Sequence, residues 1–266
     1  MLSTIDIPSL TSSQFSLIYN LFSLVFAAMA FTALFLLVSR SSVRPQYHLA
    51  VTTSAMVCSI AAYHYFRIFE NFKEAFPAGA GPKAAHVASN VAFNEGYRYV
   101  DWLLTVPLLL VETIAVLALA KSVQKSLLIK LVPAATLMIL LGYPGEVAST
   151  NGPRVVWGAL SAIPFVYILW VLFKELGGSL ERQPAEVKHT VSMMRISILG
   201  LWGVYPIAYL FPVIGGKFFE GAGGFVLRNV GYSFADVFAK AAFGLAIFKI
   251  ARVKSAYEDP AYASDH

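Results

Sequence analysis

The sequence predicts an all-α protein built as a bundle of seven membrane-spanning helices. Composition is the first reason: 58% of the 266 residues are hydrophobic and only 13% are charged, whereas a soluble domain is nearer half apolar and a quarter charged. The second is recurrence. Seven apolar runs follow one another, most punctuated by Gly, Pro or charge clusters, and each is long enough as a helix to cross the roughly 30 Å of a bilayer's hydrocarbon core. The net charge of +5 is scattered along loops rather than gathered on one face, so it carries no nucleic-acid signal. A single cysteine, Cys58, lies inside an apolar run. It offers neither a disulfide framework nor a cysteine-based metal site, and no metal is expected. The opening stretch MLSTIDIPSLTSSQF has an acidic residue and no basic one, unlike a cleaved signal peptide.

The spans are expected at 14–39, 47–69, 92–120, 124–147, 151–176, 187–213 and 223–250, within a single domain covering 1–266. An odd number of crossings puts the termini on opposite faces. With the C-terminus in the cytoplasm, eleven basic residues fall inside, among them Arg40, Arg44, Lys121, Lys125, Lys249, Arg252 and Lys254. Six fall outside: Arg67, Lys73, Lys83, Arg154, Lys217 and Arg228. That bias supports N-terminus outside and C-terminus inside a prokaryotic cell membrane. Connections are short except 70–91, ENFKEAFPAGAGPKAAHVASNV, which is too long for a tight turn and is expected to form a small hairpin over the outer mouth.

Span two ends in Tyr63-His64-Tyr65-Phe66-Arg67. A histidine this deep needs a partner, either a functional carboxylate or a neighbouring backbone group. His48, His86, His189 and His266 sit at span ends or in loops and read as solvated.

Span three reads Arg98-Tyr-Val-Asp101-Trp-Leu-Leu-Thr105-Val-Pro107-Leu-Leu109-Leu-Val-Glu112. Asp101 and Glu112 are eleven residues apart, about three turns, so they share a face at depths differing by about 16 Å. Arg98 lies one turn outward of Asp101 and Thr105 one turn inward. Such a stripe is either a polar seam between helices or a proton relay, with an anionic acceptor beside Arg98 and a protonated donor in the apolar inner half. Pro107 kinks a helix that a bundle can tolerate.

In spans four to six, Gly142 and Gly158 permit close helix contact. Trp202, Tyr205, Pro206 and Tyr209 are packing residues taken singly, but aromatics on several helices at one depth could wall a flat apolar ligand. Span seven holds NVGYSFADVFAKAAFGLAIF, twenty residues from Asn229 to Phe248 with only Asp236 and Lys240 charged. They are four apart, on one helix face. An ammonium near mid-membrane must be paired, neutralised or chemically converted. A desolvated lysine is a good nucleophile towards aldehydes, and a protonated imine formed there needs an anion such as Asp236. The alternative is a structural ion pair.

With RYVDWLLTVPLLLVE in the third span, LWGVYP in the sixth and FADVFAKAAFGL in the seventh, the chain resembles the microbial (type 1) rhodopsins over all seven spans. AYHYFRIFE, the long second loop and LGYPGE make it similar to proteorhodopsin and above all to the xanthorhodopsin-like proton pumps. The resemblance implies a light-driven outward proton pump, a transporter rather than an enzyme, with retinal as a protonated Schiff base on Lys240. Asp101 is then the primary counterion and proton acceptor, Asp236 the second counterion, and Glu112 the cytoplasmic donor. Thr105 stands beside Asp101, Arg98 orders the outward water, His64 pairs with the acceptor carboxylate, and Tyr65 and Tyr205 hydrogen-bond Asp236.

The resemblance also implies a pocket in which Trp102 and Trp202 sandwich the polyene, with Met138, Gly142, Ser161, Phe165, Pro206 and Tyr209 around it. Leu109 matches the tuning position of green-absorbing relatives. Gly158 stands where archaeal pumps carry tryptophan; in xanthorhodopsin-like proteins this opens a lateral window for a carotenoid antenna, though lipid can fill the same gap. Of the archaeal proton-release carboxylates, one position is held by Arg228 and the other is loosely matched by Glu220. The expected surroundings are membrane lipid and further copies of the chain as pentamer or trimer, with no nucleic acid and no obligate protein partner. The competing reading is a sensory rhodopsin signalling to a partner protein, against which Glu112 and the short tail argue.

Overall fold

The computed structural model describes residues 9–79, 86–181, 183–215, 219 and 221–263; Glu220 and His266 lie outside them. Seven long helical rods make up the described chain. Helix α1 is Ser12–Ser39, started by a capping box in which the Thr11 hydroxyl accepts from Gln14 N and the Gln14 side chain accepts from Thr11 N. Both donors would otherwise be unpaired at the helix start. After two single turns of 3₁₀ helix, α2 spans His48–Ala75, six residues beyond the expected end. Glu70, Lys73 and Glu74 resemble a loop, yet Ile68, Phe72 and Ala75 recur at helical spacing and are buried, which keeps the helix going.

Helix α3, Gly96–Val116, is shorter than expected at both ends. Outside, Asn71 captures Ala92 O and Asn94 N, while the Asn94 side chain accepts from Gly96 N. These side-chain bonds replace helical ones. Inside, the chain turns at Ala118, whose φ is 47°. Helices α4 (Lys121–Glu146) and α5 (Asn151–Leu180) follow, and α6 is Ala185–Tyr209. Helix α6 stops short of 213 because Pro212 has no N–H for the ladder; a separate turn, Phe211–Ile214, carries the chain on. Helix α7 runs Gly221–Asp236, passes through a π-helical turn at Val237–Ala242, and continues as Phe243–Glu258. π-Turns within α-helices concentrate at functional sites, and this one contains Lys240.

Residues 80–85, where the tip of the hairpin expected in the long second loop would fall, lie outside the described residues. Two isolated antiparallel bridges meet at His86, one to Ala78 and one to Leu10. His86 is not solvated as expected. Its ring stacks on Phe15 with centroids 3.7 Å apart, and its Nδ1 lies 2.9 Å from Phe76 O. Beneath it, Phe22, Phe72, Phe76 and Phe93 are buried in one aromatic cluster. The outer mouth is thus capped by the N-terminal segment and the loop together.

Replacing His86 by Ala removes the stack and the carbonyl contact. We expect a loss of about 1–2 kcal/mol in stability, read as a lower unfolding temperature in detergent, with the buried centre of the bundle unchanged.

Candidate functional site

The ammonium of Lys240 is fully buried, and the bundle answers it with two carboxylates. Nζ lies 2.5 Å from Asp101 Oδ2 on α3 and 2.8 Å from Asp236 Oδ1 on α7 itself. Removing Lys240 would leave two carboxylates facing each other uncompensated in an apolar interior, which costs several kcal/mol.

The two carboxylates are not equivalent. Asp236 accepts from Tyr65 Oη at 2.6 Å, Tyr205 Oη at 2.8 Å and Trp102 Nε1 at 3.2 Å, besides Lys240. Its lone pairs are occupied. Asp101 receives Lys240 alone, and its Oδ1 is buried without a hydrogen-bond partner. Thr105, though adjacent, gives its hydroxyl to the Asp101 backbone carbonyl at 2.8 Å rather than to the carboxylate. Asp101 therefore has the vacant acceptor position.

Outward of this centre the groups are polar and linked. Arg98 Nη1 donates to Tyr65 Oη at 3.0 Å, and Nη2 donates to Asn229 Oδ1 at 2.8 Å. Its Nε is 3.5 Å from Glu95 Oε2. Arg228 does not stand alone: it bridges Glu95 at 2.7 Å and Glu146 at 3.3 Å, so α3, α4 and α7 are tied together at the outer face. Arg154, also buried, donates to the carbonyls of Glu146 and Ala148.

Inward, polar pairing is sparse. Both oxygens of Glu112 are buried without hydrogen-bond partners. The neighbouring Ser54 hydroxyl is committed to Ala50 O at 3.2 Å. Beyond that hydroxyl, no described charge or donor supports an anion there, which suits a carboxyl group that keeps its proton.

The expected pairing of His64 with Asp101 is not made. His64 Nδ1 and Asp101 Oδ1 are both buried without partners. The ammonium of Lys240 draws the Asp101 carboxylate instead, and the His64 ring stands edge-on to Tyr63, 5.2 Å between centroids.

From Lys240 an apolar cavity extends between the helices, with about 860 Å³ of unfilled space that in part opens to the surface. Trp102, Leu109, Met138, Gly142, Gly158, Ser161 and Phe165 line it, as do Trp202, Tyr205, Pro206 and Tyr209. Tyr65 is the one expected pocket residue outside the lining; it acts through Asp236. Tyr99, Val106, Ala239 and Tyr232 also line the cavity and were not anticipated. Helical spacing points to them: Tyr99 and Val106 lie one turn either side of Trp102, and Tyr232 one turn before Asp236. Asn229 continues that face a second turn outward.

The two glycines behave differently. Ser161 Oγ, which donates to Met138 O, would be 3.4 Å from a Cβ on Gly142, a close but ordinary contact between α4 and α5. A Cβ on Gly158 would meet Tyr209 Cε1 at 2.7 Å. The ring of Tyr209 covers this notch, its hydroxyl donating to Arg154 O at 2.6 Å. A long, flat, apolar aldehyde suits this cavity: one end meets a lysine nitrogen flanked by carboxylates, and the walls are indole and phenol rings.

Comparison with known proteins agrees with the geometry. Residues 16–253 match the family described as bacteriorhodopsin-like protein. The green-light absorbing proteorhodopsin of a gamma-proteobacterium is 33% identical over 235 residues, 86% of this chain and 84% of that protein. The crystal structure of xanthorhodopsin, a light-driven ion pump with dual chromophore, superposes with a TM-score of 0.88 at 43% identity, covering 95% of this chain and 99% of that one. Thermophilic rhodopsin gives 0.89 at 44% identity with the same coverage.

Tyr65→Phe removes one donor from Asp236 and leaves Arg98 Nη1 without its acceptor. The expected cost is about 1–3 kcal/mol, measured as a fall in thermal stability; an unchanged midpoint would show that water replaces the phenol.

Proposed function

This chain belongs to the bacteriorhodopsin-like family, the microbial (type 1) rhodopsins, and on that footing we propose that it is an outward proton pump driven by light. It is a multi-pass protein of a prokaryotic cell membrane, and a transporter rather than an enzyme. Retinal is the family's chromophore; joined to Nζ of Lys240, it supplies light absorption and a change of shape that re-aims the proton on that nitrogen.

The observation that carries the reading is the inequality of the two carboxylates at Lys240. Asp236, already holding Tyr65, Tyr205 and Trp102, remains the fixed counter-charge. Asp101, with a vacant oxygen, takes the proton from Nζ. Thr105 holds the Asp101 backbone, and Arg98 favours a negative charge outward of it. Glu112, eleven residues inward on the same helix and without a partner for its charge, returns a proton to Nζ from the cytoplasmic side. Acceptor outward and donor inward give net transport out of the cell. His64 serves Asp101 as a second partner once the carboxylate no longer has the Lys240 charge to face.

We assign the notch at Gly158 to a carotenoid antenna, which would lie against the ring of Tyr209. The dual chromophore of xanthorhodopsin supports this. Gly158→Trp is expected to abolish energy transfer from added carotenoid while the retinal band remains.

The direct test is external pH in cells given retinal and green light. Acidification abolished by a protonophore supports the reading; colour without a pH change favours a sensor. A pH rise enhanced by the protonophore would mean transport of another ion. Asp101→Asn is expected to leave a coloured protein with no transport. Glu112→Gln is expected to slow reprotonation of the Lys240 nitrogen roughly 10²-fold, followed by flash photolysis.

A further inference from the structure

Among the described residues a second lysine is buried besides Lys240, and the transport route above does not use it. Lys254 lies near the inner end of α7. A helix from 221 to 258 is about 57 Å long, well beyond the apolar slab. Lys249, more than half exposed and paired at 3.1 Å with Glu186 of α6, marks where the helix leaves that slab. Lys254 is more than one turn further on, yet only 5% exposed.

What buries it is the end of α3. Its Nζ donates to the carbonyl of Leu117 at 2.7 Å and stands 5.3 Å from the Tyr47 ring centroid. Leu117 is the first residue after α3, five residues beyond Glu112 and itself buried. The next residue, Ala118, is the only described non-glycine residue with positive φ. Such a conformation in alanine persists only where the surroundings hold it. The last carbonyls of a helix lack intrahelical donors and carry the negative end of its dipole, so an amine donor is what this end requires.

The groups around Lys254 are themselves tied down. Glu258, one turn along α7, accepts from Tyr47 Oη at 2.5 Å, Arg44 Nη1 at 2.8 Å and the Gln46 side chain. Arg44 N donates to Ser255 Oγ at 2.9 Å. The charges facing Lys254 are therefore Glu258 on its own helix and, through it, Arg44 from the α1–α2 connection. Glu186 of α6 is engaged by Lys249.

We propose that Lys254 is a positioning residue that clamps the inner end of α3 to α7 and so keeps cytoplasmic water away from Glu112. The clamp stands on the geometry alone; its consequence for Glu112 rests on the donor reading given above. Burial pushes the Lys254 ammonium down to about 8 from 10.5, while Glu258 acts in the opposite direction. When the clamp opens, the amine returns to water and to its ordinary basicity, so opening takes up a proton. The closed state then gains stability as pH rises from about 8 towards 10.5 and is easiest to open below 8.

The test is hydrogen–deuterium exchange of the unilluminated protein, read on the peptide covering 113–120 and on the Glu112 carboxyl through its C=O stretch, assigned with Glu112→Gln. At pH 9, Lys254→Met leaves the Leu117 carbonyl without its donor, and exchange of the peptide is expected to quicken about tenfold. Lys254→Arg keeps a donor and is expected to restore most of the protection. In the parent, protection corrected for intrinsic exchange rises between pH 8 and 10; in Lys254→Met it is flat. Unchanged peptide exchange in folded Lys254→Met overturns the clamp, and no pH dependence in the parent overturns its link to the Lys254 proton. Faster peptide exchange with unchanged deuteration of Glu112 overturns the link to the donor. Both measurements are made in the dark and stand apart from the light-driven pH assay, so a failure of the pump reading is seen there and a failure of the clamp here.

Discussion

A single ammonium, buried midway through an apolar bundle, sets the terms for the rest of the protein. Lys240 cannot remain charged there without anions, and two carboxylates from two helices meet it within hydrogen-bond distance. Each carboxylate then needs its own support. Asp236 takes it from Tyr65, Trp102 and Tyr205, which fixes the orientations of α2, α3 and α6 about α7. A network of this kind is costly when partly satisfied and rigid when complete. Rigidity here is useful, because Trp102 and Tyr205 also wall the cavity while Tyr65 holds Asp236 beside it.

The two halves of the bundle are built to opposite rules. Outward, Arg98, Glu95, Arg228 and Glu146 form a continuous chain of ion pairs across α3, α4 and α7. Orphaned nitrogens remain on Arg98, Arg228 and Arg154, in polar surroundings suited to ordered water. Inward, the Glu112 oxygens are buried without partners, and a separate polar cluster lies where α7 meets the α1–α2 connection. An outer half laced with ion pairs and an inner half holding an unpaired carboxyl group make the two sides of Lys240 unlike.

Much of this could be read from the residues. The seven spans follow from composition and run length, and the Lys240–Asp236 pair follows from asking how a buried charge is compensated, whereas Asp101 as its second anion came from the resemblance. Ends were less legible. The charged residues Glu70, Lys73 and Glu74 disguised the last turns of α2, whose apolar face is set by Phe72 and Ala75 packing under the loop. The π-turn at Lys240 left no trace in the side-chain pattern, because the extra residue per turn is accommodated by the backbone. The Glu95–Arg228–Glu146 bridge joins three helices far apart in sequence, and no spacing rule relates them. The pairing of His64 with Asp101 came from resemblance alone, and in this structure His64 Nδ1 and Asp101 Oδ1 both lack a partner.

Which groups can change charge follows from how completely each is paired. Asp236 has four donors, and Arg228 has a carboxylate on either side; to neutralise either would strand its partners in a low-dielectric interior. Asp101 has one partner and a vacant oxygen. Glu112 alone among the described buried carboxyl groups has neither oxygen paired. Protonating Asp101 therefore strands little beyond the Lys240 nitrogen that has just given up its proton, and Glu112 exchanges one without breaking any ion pair. The two carboxyl groups that the proposed transport route asks to titrate are the two that the packing has left least paired.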